Sequence, residues 1–184
     1  VARVVDPALI DPRGVAASAS GPFCIANTGS HLATFFDVVP ATHATTRSGS
    51  GLPLPGNGRG TGAAFNPTTA FDGDPFLFAG EDGTISGWRT ALGTVVETLK
   101  TADPANHYAG ATFGLLGATP ILYSANFESA TVDAVEGTGL RAAFLTGSFL
   151  DPVLPAGYAP FDVQNLGGTL YVAFAVRDVS GGVV

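Results

Sequence analysis

Short apolar runs separated by turn-forming residues recur along the whole chain, and three of them open alike. Gly14-Val15-Ala16, Gly62-Ala63-Ala64-Phe65 and Gly110-Ala111-Thr112-Phe113 each begin on a glycine that stands 48 residues after the last. Each is followed by a second apolar run that closes on small residues and a polar turn: Phe23-Cys24-Ile25-Ala26-Asn27, Phe76-Leu77-Phe78-Ala79-Gly80, and Ile121-Leu122-Tyr123-Ser124-Ala125-Asn126. A third run comes next in each copy, over residues 31–37, 84–89 and 131–136. The alternation within these runs is that of strands whose two faces see unequal burial. Runs at 94–99 and 142–145 fall where a fourth, outer strand is expected.

A fourth copy starts at Ala159-Pro160-Phe161-Asp162-Val163, turns through Gly167-Gly168 and continues over 169–175. Gly181-Gly182-Val183-Val184 reads as the beginning of its third strand. Four strands per copy of about 48 residues is the arithmetic of a β-propeller blade. The expected fold is therefore all-β, a propeller with about three and a half four-stranded blades, at 11–58, 59–106, 107–157 and 158–184. Packed sheets leave bare faces unless the ring closes. The arc is accordingly expected to belong to a larger ring, closed by further blades of the same chain or by another chain. Residues 41–60, rich in Ser, Thr, Gly and Pro without periodicity, read as a long loop between the first two blades.

Composition narrows the partners. The net charge is −7, the seven arginines are scattered, and Lys100 is the only lysine, so there is no basic stripe for a nucleic acid backbone. No apolar run is long enough to span a bilayer as a helix. Cys24 is the lone cysteine and cannot form an intrachain disulfide; in its apolar run it reads as a small buried hydrophobe. A chain that opens on Val1 and contains no methionine is expected to be a processed or partial product, which makes export plausible.

Candidate chemistry is sparse. Asp72, Asp74, Glu81 and Asp82 are the densest acidic cluster and supply hard oxygen ligands for Ca²⁺, yet Asp72-Gly73-Asp74 and Asp82-Gly83 are equally good turn sequences. No other cofactor is suggested. His31, His43 and His107 are too dispersed for a local metal motif. His107 precedes the third inner strand and is the histidine best placed to face a central channel. Trp88 is either a platform for a sugar ring or a packing residue between blades. No nucleophile, phosphate-binding or dinucleotide motif is present.

The stretch DPRGVA at 11–16, followed by Ile25-Ala26-Asn27-Thr28-Gly29-Ser30-His31-Leu32 and Phe35-Phe36-Asp37, resembles an NHL-type propeller repeat. Over 11–177 the order of the motifs GPFCIANTGS, FAGEDGTISGW and LYSANFESATVDAVE is similar to that of an uncharacterised family of exported NHL-like propellers. That resemblance implies a longer chain, a six-bladed ring and a secreted or cell-surface location, and it carries no activity. Two functions are therefore expected to compete. One is a non-catalytic extracellular module that binds protein, glycan or its own copies. The other is a metal-dependent lactonase- or lyase-like enzyme with Glu81, Asp82, Asn126 and His107 converging at the channel mouth.

Overall fold

The computed structural model describes residues 4–18, 20–138 and 153–177. Thirteen strands are present among them. The first sheet contains β1 (Pro12–Ala17), β2 (Phe23–Asn27), β3 (Leu32–Val39) and β4 (Ala44–Pro53). The second contains β5 (Gly60–Phe65), β6 (Phe76–Gly80), β7 (Ile85–Trp88) and β8 (Glu97–Lys100). The third contains β9 (Tyr108–Leu116), β10 (Thr119–Asn126) and β11 (Thr131–Glu136), and the fourth contains β12 (Tyr158–Leu166) and β13 (Thr169–Val176). Strands are antiparallel and spatially consecutive within every sheet. The fold is a β-propeller: the first strands of successive blades pack on one another, β1 on β5, β5 on β9 and β9 on β12.

The repeated glycines explain that packing. A side chain on Gly14 would lie 2.4 Å from the Ala63 nitrogen, and one on Gly62 would lie 2.6 Å from the Ala111 nitrogen. Gly110 in turn faces the Asp162 carboxylate. Strand register places Gly14, Gly62, Gly110 and Asp162 at the same point of their blades, opposite Ala26, Ala79, Ala125 and Ala173. One extra residue, Arg13, Thr61, Ala109 or Phe161, bulges out of the pairing just before each. Such bulges increase the local twist and re-aim the strand. Thr61 uses the position to donate a 2.5 Å hydrogen bond to the Tyr108 carbonyl of the next blade.

Between the first and second blades, small residues on one face receive large ones from the next. Ala16, Cys24, Ala26, Ala33 and Phe35 bury Ala63, Phe76 and Phe78, with Trp88 packed against the cluster. Leu77, Ala79 and Ile85 similarly meet Ala111, Leu122 and Val135. Val163 of the fourth blade fills the corresponding place against Ile121 and Tyr123. Cys24 is fully buried, and burial pushes its thiol well above its ordinary pKa, which leaves it a packing residue.

Residues 41–60 correct the expectation of a long loop. Half of them form β4, a ten-residue outer strand paired with β3, reached by a tight turn at Thr42 and His43. An outer strand faces solvent over much of its length, so its sequence carries little hydrophobic alternation to read. The outer strand expected at 94–99 is shorter and later, at β8. The runs expected at 142–145 and 181–184 lie outside the described residues.

Candidate functional site

At the end of the blades where the inner strands begin, polar side chains from the second and third blades meet. Arg59 immediately precedes β5, Glu81 follows β6, and His107 immediately precedes β9. The Glu81 backbone N–H donates to the Arg59 carbonyl at 2.9 Å, which sets the two side chains together, and the Arg59 guanidinium forms an ion pair with the Glu81 carboxylate. His107 Nε2 stands 3.8 Å from the other Glu81 oxygen. The His107 ring meets the edge of Phe127, and its backbone N–H donates to the Asn126 side-chain carbonyl at 3.1 Å. All three charged or titratable side chains are partly exposed, so the cluster faces solvent.

Of the residues singled out from sequence, Glu81, His107 and Asn126 are thus brought together, while the acidic cluster is divided. Asp82 is a turn residue whose carboxylate accepts from the Asn57 and Thr84 backbone N–H groups at 2.7 and 3.1 Å. Burial alone would raise its pKa, but the nearby Thr84 hydroxyl and these backbone bonds outweigh it and hold the carboxyl below its ordinary value. Asp72 and Asp74 lie at the opposite end of β6. Five extended residues span roughly 16 Å, so the four carboxylates do not gather around one ion. Among the described residues no group of three or more His, Cys, Asp or Glu side chains is close enough to hold a metal. His31 and His43 occupy left-handed backbone positions in turns.

Asp74 has a different role. It is wholly buried against Gly87, and its Oδ1 accepts from Arg89 at 2.8 Å, while Arg89 also pairs with Glu97. Burial, partly offset by Arg89 and reinforced by Glu97, raises the Asp74 carboxyl to about 6. Trp88 lies nearby, its ring 5.0 Å from that of Phe35 and its indole N–H donated to the Gly93 carbonyl at 2.9 Å. It serves as interblade packing with one edge exposed.

A second polar group, missed in the sequence, sits outward of the mouth between the second and third blades. Tyr108 and Asn126 both donate to Asp133 Oδ2, at 3.2 and 2.9 Å, and the Lys100 ammonium lies 5.6 Å above the Tyr108 ring. These residues are spread over positions 100 to 133 on four strands, so no local motif marks them.

No known family profile matches the chain. An uncharacterized protein of Acanthamoeba polyphaga mimivirus is 27% identical over 94% of this chain and 45% of its own length. Among solved structures, a catalytically inactive virginiamycin B lyase from Staphylococcus aureus, solved with quinupristin, superposes with a TM-score of 0.62 at 13% identity. That match covers 98% of this chain and 56% of the lyase. Kuenenia stuttgartiensis hydrazine synthase gives a TM-score of 0.54 at 14% identity, over 100% of this chain and 50% of that one. A streptogramin B lyase gives 0.53 at 12% identity, over 98% and 70%. At these identities the likeness shows the fold alone, and the chain spans about half the length of the first of these relatives.

Proposed function

We propose that this arc of blades is a non-catalytic extracellular or cell-surface module that works by sheet-to-sheet association. One observation carries the reading. The face of the first blade turned away from the second is an apolar groove of about 480 Å³, lined by Val15, Phe23, Ile25, Phe36 and Val38. Strand register makes Val15, Phe23, Ile25 and Phe36 the equivalents of Ala63, Phe76, Phe78 and Trp88, the residues that the second blade packs against the first. Val15 is 58% exposed and Phe23 40%. Val4 and Leu9 border the groove, and their segment is fixed by the Asp6–Arg47 ion pair at 2.7 Å and by Ser30 donating to the Ala8 carbonyl.

A surface with this pattern suits a sheet that presents small residues, as Ala16, Cys24 and Ala26 do. Further blades of the same polypeptide or a second copy supply such a sheet, and the six-bladed ring implied by the sequence resemblance belongs to the same proposal, as does export. The polypeptide of 184 residues is expected to self-associate in sedimentation velocity, and Val15→Asp is expected to abolish association while leaving the circular dichroism spectrum unchanged. A wild-type monomer at every concentration would sink the idea.

A second reading rests on the approach of His107 to Glu81 and on the likeness in fold to lyases. His107 would then exchange protons at the mouth, with Glu81 holding its ring and a divalent ion bound beside them. Only Glu81 and His107 are oriented for such an ion, and Glu81 is already paired with Arg59, so the residues described do not complete a metal site. Elemental analysis of the purified protein separates the readings. Stoichiometric Ca²⁺ or Zn²⁺, lost in His107→Ala, supports the enzyme; equal metal content in both proteins removes His107 from the site.

A further inference from the structure

Outward of the mouth, between the second and third blades, lies a cleft of about 500 Å³ lined by Lys100, Asp103, Asn106, Tyr108, Thr131 and Asp133. Its floor is held by hydrogen bonds. Asp133 is buried, accepting from the Tyr108 hydroxyl and Asn126 amide on one oxygen and from the Thr131 hydroxyl, at 3.1 Å, on the other. Ser129 at the rim lies 2.6 Å from the Thr131 hydroxyl. Asp103 is kept in place by Ala105 and Asn106, which donate to its two oxygens.

The internal repeat provides a control for this cleft. The same place between the first and second blades is a gap of only about 10 Å³, bordered by Leu54, Gly60 and Ser86. There Leu54 reaches over Gly60, its methyl carbon 2.4 Å from where a glycine side chain would stand. Register makes Leu52 equivalent to Lys100, Gly60 to Tyr108 and Ser86 to Asp133. Where Leu54 closes the space in one copy, the next copy carries a cation in place of Leu52, a phenol in place of Gly60 and a carboxylate in place of Ser86 around open space. Packing does not call for an ammonium at the position of Leu52, since a polar group lining a crevice stabilises less than the leucine it replaces.

The lining selects a chemistry. Asp103 and Asp133 accept, Lys100 donates, and the hydroxyls of Ser129 and Thr131 and the amide of Asn106 do both. Two carboxylates against one ammonium oppose a phosphate or other polyanion, and Ala105 and Val135 add apolar surface of the kind a sugar's C–H face can rest on. A sugar hydroxyl donates and accepts at once and matches such a wall. The volume lies within the usual range of about 300–1,000 Å³ for small-molecule sites.

We propose that this cleft binds a neutral, hydroxyl-rich ligand of mono- to disaccharide size, gripped by Lys100 and Asp103 at its rim. Titration calorimetry of the intact chain with glucose, galactose, mannose and their disaccharides is expected to show saturable binding by at least one, with glucosamine and glucuronate as charged comparisons. Lys100→Leu, which copies the first blade, is expected to weaken it about tenfold or more, the loss of one charge-assisted hydrogen bond. Ser129→Ala changes an exposed turn hydroxyl and is expected to weaken binding less without touching the fold, so the test survives if the leucine variant does not fold. Val15→Asp on the open face is expected to leave sugar binding unchanged. No binding by any neutral sugar, binding by the charged comparisons alone, or binding indifferent to both cleft variants would overturn the proposal.

Discussion

Gly62→Ala is expected to cost about 3 kcal/mol of stability, and Gly62→Val to prevent folding, although the backbone of Gly62 is one that any residue can adopt. The added methyl would stand 2.6 Å from the Ala111 nitrogen and 2.7 Å from its Cβ. Both neighbours belong to β9, whose pairing with β10 fixes it in place, so neither can retreat without disturbing the third blade. Close-packed interiors tolerate little added volume, and here the added volume would meet main chain rather than a side chain that can rotate away. Gly117→Ala is the appropriate control. Its position has a left-handed backbone but open space around it, so it should lose only about 1 kcal/mol. Urea denaturation of the three proteins measures the contrast, and equal losses for Gly62→Ala and Gly117→Ala would contradict the role given to interblade contact.

The second large effect is expected at Arg89. Replacing it with Met leaves Asp74 buried with its cation gone and Glu97 still near, so the folded state should be destabilised strongly at pH 8 and much less at pH 5. The sign follows from the raised Asp74 pKa. Folded protein holds this proton up to about pH 6, whereas an unfolded aspartate releases it near pH 3.9. The stabilising contribution of that proton is complete below the unfolded value and is lost as pH rises through 6. Losing Arg89 removes a group that lowers the Asp74 pKa and so extends the effect to higher pH. Asp74→Asn in the Arg89→Met background should restore most of the stability at pH 8. Thermal melts of the single and double variants across pH 5–8 test this. A loss at Arg89 that is flat across the range would show that the ion pair, not the buried carboxylate, is what matters.

The inner and middle strands were legible because they are strongly apolar, covered on both faces in the second and third blades and on one face in the first; Phe23–Asn27, Phe76–Gly80 and Thr131–Glu136 match their expected runs residue for residue. The glycine spacing was legible because steric contact between blades admits no other residue at Gly14 and Gly62. Strand β4 was not, since its exposed Thr, Ser and Gly residues are those of a loop and only pairing with β3 orders them. At the mouth, Glu81, Asp82, Asn126 and His107 were anticipated to converge; Asp82 is instead tied into a turn, and Arg59 was not anticipated, because its partner Glu81 lies at the end of the neighbouring strand, 22 positions away. The acidic cluster misled in one respect: nearness in sequence became separation along a strand. The cleft had a usable signal that local motifs hide. Offsetting the sequence by 48 residues puts Lys100 beneath Leu52 and Tyr108 beneath Gly60.

The consecutive order of strands within every sheet has a kinetic consequence. Among the described strands each sheet is a meander whose ladder hydrogen bonds join chain neighbours, so it can form as soon as its own residues leave the ribosome, before the next blade exists. During synthesis the newest sheet therefore always carries an uncovered apolar flank, awaiting the large side chains of its successor. The growing chain passes through a series of native-like but sticky intermediates, and its yield in a cell will depend on how long each of those flanks waits.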